Sequence, residues 1–414
     1  MKVSLIEFSV ENFKIFKSKA TFSMASRKHE GKTFDSNGED LLRTSLIFGP
    51  NASGKSTLLQ GMGLMKGFIL GSANSSEKAR LPYAPFLFLD EKDKPSFFEI
   101  VFSIEKKIYR YNYSFLADKI VSENLFDETF ESKTVNLLKR DFQNFVFAGE
   151  LDAGSSKDVA NEKTKEGVLF LSAASQWKIG LAESIVECFK YINIIDAAES
   201  NNYHSFTVNA FKENSSLKSQ ILNFLERADF SIVDGSVEAR PVPVELKQFF
   251  SSSVKGIPDV VDTVKFTHKK FNSKNEVVGL ETMNEGDESA GTQRFFRILG
   301  PIIDTLNKGK VLVIDEFDNS LHPELTRFIV NLFEKENIAD AQLIATTHDT
   351  SLLGRKGQFL RSQVWFTQKD KIGEAELFSL EEFRESDLRN DTEFQRKYLE
   401  GRFGALPFIN SIDV

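Results

Sequence analysis

The segment Leu46–Thr57, LIFGPNASGKST, constrains this chain more than any other. Its first three residues, Leu46, Ile47 and Phe48, read as a buried strand. Gly49, Gly54, Lys55 and Ser56 then fall in register with a G-x-x-x-x-G-K-[ST] loop, and a helix is predicted from Lys55 to near Leu70. A strand feeding such a loop and helix calls for an open α/β sheet, with the loop at the carboxyl edge where ligands bind. Glycines let the backbone of Gly49, Pro50, Asn51, Ala52, Ser53 and Gly54 turn its N–H groups inward toward an anion. The positive end of the helix, carrying Lys55, Ser56 and Thr57, adds to that field. The chemistry these residues predict is phosphate binding, with Lys55 on the outer phosphates and Ser56 on a magnesium ion. A Gly-rich turn before an ordinary helix is the plainer reading, and the strand before and helix after weigh against it.

Val311–Ile314 is an unbroken β-branched and leucine run, suited to a central parallel strand buried on both faces. Asp315 and Glu316 stand at its carboxyl end. Adjacent acids there are costly unless a cation or ligand is near. Asp315 is therefore read as holding magnesium through water, and Glu316 as polarising an attacking water. A second strand-like run, Gln342–Thr347, leads into His348 after a predicted helix from Pro323 to about Glu334. Only five histidines occur, and this one ends a strand at the same sheet edge, which suits a sensor of the terminal phosphate. Ser289, Ala290, Gly291 and Thr292 precede a helical stretch, Gln293–Leu306. Ser289 is a natural N-cap whose hydroxyl and neighbouring amides make a second anion site.

In order, GPNASGKS from Gly49, ESAGTQR from Glu288, VLVIDEFDNSLH from Val311 and LIATTHD from Leu343 resemble the motifs of ABC-type ATPases of the SMC, RecF and overcoming-lysogenization-defect group. The resemblance implies an α/β P-loop NTPase fold, an ABC-type ATPase head with two lobes and a helical insertion. It implies ATP and Mg²⁺, and a homodimer or higher homo-oligomer in which Ser289 and Gly291 of one copy cover the nucleotide held by the other. Asn319 to His322 are similar to the D-loop along that seam. The residues themselves read no base, so ATP comes from the resemblance and GTP stays open. FSVENFKIF from Phe8, PFLFLDEKDKPSFFEIVF from Pro85 and YLEGRFGALPFI from Tyr398 are similar to bacterial stand-alone AAA family ATPases of anti-phage systems, such as the RloA-like and abortive-infection ATPases. That likeness implies an ATP-hydrolysing sensor or scaffold controlling a separate effector, a nuclease or toxin, since nothing in the chain supplies such a centre. A RecF- or SMC-like DNA-repair ATPase is the alternative. A transporter's nucleotide-binding subunit ranks third, because Lys55 and Asp315 are too widely separated.

The chain also departs from these relatives. No glutamine stands where the ABC pattern couples nucleotide to a partner domain: Gln60 is too close to Lys55, and Leu81–Asp90 holds none. One cysteine and no sustained heptads mean neither a long coiled coil nor a Cys-x-x-Cys zinc hook. Too few residues follow His348 for an appended Toprim domain.

A net charge of −8 with dispersed Lys and Arg gives no global field for nucleic acid. A local candidate for DNA backbone is Lys265, His268, Lys269, Lys270 and Lys274, on a predicted hairpin of Val261–Phe271 and Val277–Glu281; a solvated hairpin tip is the heavier reading. No run approaches the roughly 20 apolar residues that cross a bilayer, Met1–Phe8 does not open as a signal peptide, and Cys188 alone makes no internal disulfide. A cytoplasmic protein without a membrane partner is expected. Phenylalanine is abundant, 40 of 414 residues, and runs such as Phe97, Phe98 and Phe102 read as packing rather than base stacking.

The expected organisation is an N-terminal ATPase lobe over 1–130, a mainly helical insertion over 131–260 and a C-terminal ATPase lobe over 261–414. Within the insertion, Trp177, Leu181, Ile185, Phe189 and Ile192, and Leu217, Ile221, Phe224, Leu225 and Ala228, recur at helical spacing as core-facing stripes. Asp152–Lys165 reads as an exposed loop and Asp234–Pro243 as a linker. Lys14 stays open between a phosphate contact and an ordinary surface position.

Overall fold

Unbroken apolar runs become the interior of a six-stranded sheet. In chain order its strands are β1 (Thr44–Phe48), β2 (Ile192–Asp196), β3 (Val311–Asp315), β4 (Gln342–Thr346), β5 (Val364–Lys369) and β6 (Ala375–Ser379). They lie in the order β2-β3-β4-β1-β5-β6, parallel except for β6. Every residue of β1, β3 and β4 is buried, as a parallel sheet covered on both faces requires. The computed structural model describes residues 1–26, 32–74, 80–88, 94–130, 133–196, 201–228, 230–242, 260–354, 359–383 and 394–406. Two units divide the chain: Met1–Ala197 with Thr305–Phe317 and Val330–Val414, and Ala198–Asp304 with Asp318–Ile329.

In the first unit, helix α1 (Lys55–Gly71) packs between the parallel sheet and a seven-stranded antiparallel sheet. That second sheet runs, from edge to edge, through Asn144–Phe147, Val135–Asp141, Ile120–Asp127, Lys107–Phe115, Ser96–Ile104, Val3–Glu11 and Ala20–Ser23. Small residues let α1 approach both neighbours. A Cβ at Gly61 would sit 3.4 Å from Phe8 and Phe98 of the antiparallel sheet, and one at Gly63 would sit 4.0 Å from Ile194 of β2. Phe68 meets Tyr113 and Phe115 edge-on or tilted, with ring centroids 5.7 and 5.8 Å apart, so α1 is apolar nearly all round. Phe98 and Phe102 are fully buried, in keeping with a packing role for the phenylalanine runs.

A fully buried ion pair, Glu123 with Arg140, also lies in this unit. Glu123 accepts from Arg140 at 3.2 Å, from the Tyr111 hydroxyl at 2.8 Å and from the backbone N–H groups of Phe170 and Leu171 at 2.7 and 3.0 Å. The carboxylate thereby fixes where the short helix Phe170–Gln176 begins.

Three expectations for the middle of the chain are corrected. The Trp177–Ile192 stripe is not one helix. Helices Phe170–Gln176 and Gly180–Cys188 flank a break, Ile192 opens β2, and Trp177 is 55% exposed under the Lys163 ammonium. Asp152–Lys165 contains a helix, Gly154–Glu162, because Ser156, Val159 and Ala160 share one buried face despite the polar composition. Asp234–Pro241 belongs to a strand, Ile232–Pro241, whose prolyl end needs no ladder donor at a sheet edge; Pro243 lies outside the described residues. The segment 131–260 thus holds strands as well as helices.

The second unit pairs that strand with the predicted hairpin, observed as Val260–Phe271 and Val277–Asn284, in a three-stranded antiparallel sheet. Helices Asn201–Glu213 and Ser215–Arg227 accompany it, and helix α2 (Ala290–Lys308) begins here. The second stripe behaves as expected at Ile221 and Leu225, which are buried. Phenylalanines again make the interior: Phe296 meets Phe211 and Phe266 at 5.5 and 5.0 Å, and Phe295 meets Phe230 at 5.3 Å. Gly300 of α2 lets Asn201–Glu213 cross closely, since a Cβ there would lie 2.4 Å from the Thr207 hydroxyl.

Candidate nucleotide site

The loop predicted to cradle phosphate leaves β1 at Gly49 and enters α1 at Lys55. Gly49 has φ 150°, and a Cβ on it would stand 2.4 Å from the Thr367 carbonyl oxygen and 2.8 Å from the Ser53 hydroxyl, so only glycine fits. Gly54 has φ 124° and Ala52 φ 61°, which gives the loop its turns. Ser53 and Thr367 share a hydroxyl hydrogen bond of 2.5 Å, tying the loop to β5. Lys55 is 5% exposed, and its ammonium donates to the carbonyls of Gly49 and Pro50 at 2.8 and 3.1 Å. The first turn of α1 has no side-chain cap and no acidic residue. An uncapped helix start beside a buried ammonium is a site that an anion fits.

Parallel pairing brings the other predicted residues to the same edge. β3, β4 and β1 are consecutive neighbours, with Ile314 level with Ala345 and Thr346 level with Ile47. Their carboxyl ends therefore carry Asp315–Glu316, Thr347–His348 and the Gly49 loop side by side. Asp315 is 8% exposed and its carboxylate accepts from the Thr346 hydroxyl at 2.5 Å. Glu316 is half-buried in the left-handed region at φ 47°, and its backbone N–H donates to the same Thr346 oxygen at 2.7 Å. His348 is exposed. The Thr347 N–H donates to Ile47 at 3.1 Å, fixing the His348 segment to the strand that feeds the loop.

No cluster of three or more His, Cys, Asp or Glu side chains suited to a metal ion occurs among the described residues. Mg²⁺ typically takes one or two protein oxygens and leaves its other positions to phosphate and water. Ser56, half-buried on the first turn of α1, and Asp315 offer hard oxygens of the right kind.

In the second unit Ser289 is the N-cap that the sequence predicts: its hydroxyl accepts from the Thr292 N–H at 3.1 Å and pairs with the Thr292 hydroxyl at 2.8 Å. Ser289 and Asn319 are exposed and Gly291 is half-buried. The approach to Ser289 is held by two histidine–carboxylate pairs, His204 with Glu285 and His268 with Glu288, at 2.8 and 2.7 Å. Arg297 adds a second contact to Glu285 at 2.9 Å. Burial pushes the Glu285 carboxyl up, but His204 and Arg297 outweigh it and hold the group below the ordinary glutamate value. The basic cluster on the hairpin is largely answered by acids: Lys265 meets Glu238, His268 meets Glu288 and Lys270 meets Glu281, each at 2.7 Å.

A family model described as "AAA domain, putative AbiEii toxin, Type IV TA system" matches residues 45–176 and 180–354. The chain belongs to this AAA domain family. Among solved structures, the SMC head domain from Thermotoga maritima is similar at 14% identity and TM-score 0.43, covering 92% of this chain and 99% of that one. An SmcHead bound to the C-winged helix domain of ScpA is similar at 12% identity and TM-score 0.37, covering 91% and 98%. No curated protein matches. Membership of an ATPase family fits the P-loop α/β fold, and no helix among the described residues is long and apolar enough to cross a membrane.

Sequence reasoning missed the threonines. Thr346 lies in the run read only as strand-like and Thr367 in a segment given no reading, yet both place a hydroxyl at the site. For Thr346 the available signal was a hydroxyl at the last position of a core strand, where burial alone favours valine. Lys14 also resolves in part: its ammonium donates to the Gln60 side chain of α1 at 2.6 Å.

Proposed function

We propose that this AAA-family protein binds and hydrolyses ATP with Mg²⁺, closes as a homodimer or higher homo-oligomer around the nucleotide, and controls a separate effector protein in anti-phage defence. The observation that carries the reading is the shared sheet edge, where a buried lysine in a glycine loop lies alongside two adjacent acids and a histidine. The division into an N-terminal lobe, an insertion and a C-terminal lobe belongs to the same reading.

The roles follow from position. Lys55 leaves its carbonyl partners to neutralise the outer phosphates, and the N–H groups of Gly49–Gly54 line their oxygens. Ser56 and Asp315 would hold Mg²⁺, which supplies charge neutralisation on the phosphate oxygens when bound. Glu316 orients the attacking water and accepts its proton, while His348 contacts the terminal phosphate. Ser289 and Gly291 of a second copy would present an exposed helix start to that phosphate, with Asn319 along the seam. Loss of the phosphate removes what joins the copies, a means of holding and releasing a partner.

The family description names a putative toxin of a toxin–antitoxin system, which supports action alongside a separate protein. The acid partners of Lys265, His268 and Lys270 weigh against the hairpin as a DNA contact. The test is to recover the Glu316→Gln protein from cells in ATP and identify what accompanies it. Glu316→Gln should slow phosphate release by about 100-fold or more while still binding ATP and accumulating the closed dimer. A nuclease-like or toxin-like companion supports the proposal. DNA as sole companion, bound with steep salt dependence, would transfer the protein to the repair reading.

A further inference from the structure

We propose that Thr346 is the positioning residue that sets both acids of this site, an inference that rests on reading Asp315 as the cation holder and Glu316 as the base. One hydroxyl contacts both. It has a single hydrogen, and the geometry gives that hydrogen to Asp315 Oδ1 while the oxygen accepts from the Glu316 N–H. Donation to Asp315 Oδ1 fixes the orientation of the carboxylate, as a supporting group does for a residue that is to hold a cation. Acceptance from Glu316 acts on the backbone.

Glu316 would continue the extended path of β3 were it an ordinary strand residue, but it turns to φ 47°. A non-glycine residue in that region is strained and persists only where neighbours hold it. Two bonds from one residue do so: the Thr346 hydroxyl takes the Glu316 N–H, and the Thr346 carbonyl takes the Phe317 N–H at 3.1 Å. The same strand end then passes through Thr347, bonded to Ile47 of β1, to His348. Thr346 therefore joins the acid pair to the segment that ends in the predicted phosphate sensor. Core packing alone gives no reason for a hydroxyl at this fully buried position, since valine has the same shape without a polar group to satisfy.

Thr346→Val keeps the volume and removes the hydroxyl, whereas Thr346→Ser keeps the hydroxyl and removes a methyl. In the full chain, kcat for ATP and the Mg²⁺ concentration that half-saturates binding of a fluorescent ATP analogue are measured for both, with thermal melting as the folding control. Thr346→Val should lower kcat by about 10–100-fold and raise the Mg²⁺ requirement about tenfold, with nucleotide affinity at saturating Mg²⁺ within about threefold of wild type. Thr346→Ser should restore both. Wild-type behaviour of Thr346→Val in both measurements overturns the proposal, as does equal impairment of the two variants, which would mark a packing role. If the wild-type chain itself does not hydrolyse ATP, the ATPase reading fails, and the Mg²⁺ titration still decides the role of Thr346.

Discussion

Asp315 is buried and answered by a strand far away in sequence, and Lys55 is buried and held by the carbonyls of its own glycine loop, whereas Ser289 and Asn319 are exposed and answered by residues one to three positions along the chain. The first arrangement is preorganised: charges sit where water is scarce, and fixed carbonyl and hydroxyl dipoles hold them before any ligand arrives. The second is a capped helix start facing outward. Such a feature acquires a chemical task only when something covers it, which is why the proposed function needs a second copy.

The contrast is sharpest between two glycines. Gly49→Ala must push aside the Thr367 backbone from a φ that L-residues avoid, and should weaken nucleotide binding roughly 100-fold. Gly291→Ala meets nothing nearer than 3.5 Å, so binding to the separate chain should be unchanged and helix stability should rise by a few tenths of a kcal/mol. Isothermal titration with an ATP analogue checks both, and similar losses in the two variants would break the comparison.

Lys55→Ala removes charge-assisted bonds worth about 2–3 kcal/mol and should weaken binding about 30–100-fold. Undiminished affinity would remove the phosphate-loop assignment. Ser289→Ala should cost only about 1 kcal/mol, the value of an N-cap, and Ser289→Asn nearly nothing, since asparagine caps as well. Both should nonetheless lose ATP-driven dimerisation by light scattering; dimers of normal stability in both would mean that the exposed cap has no partner.

The smallest effect concerns pH. The Glu285 carboxyl is held below its ordinary value, so its contribution to stability is present above that value and lost as pH falls through the lowered one. Glu285→Gln should therefore melt below wild type at neutral pH, with the two converging in acid. A gap that is constant with pH would show that the His204–Glu285–Arg297 group contributes through shape alone.

Much of this was legible because the informative residues sit at the ends of strongly patterned elements. Continuous apolar runs located β1, β3 and β4, and the glycine loop with α1 fixed which end of the sheet matters. Ser289 was readable because a cap is a local bond between neighbours. The middle of the chain was not: helix Gly154–Glu162 hides one buried face in a polar stretch, and the Trp177–Ile192 spacing continues by chance from helix into strand. Periodicity cannot distinguish those cases, because it reports burial and not the element that produces it.

The sequence by itself determined a glycine loop, an acid pair and a histidine, each at the end of a strand, and therefore a P-loop α/β fold. Only the tertiary structure decided that Thr346 and Thr367 serve this edge, and that Glu123 with Arg140 fixes a distant helix. Their bonds join strands and helices far apart in the chain, and the sequence carries no local pattern for a hydroxyl or carboxylate whose partner is set by sheet order.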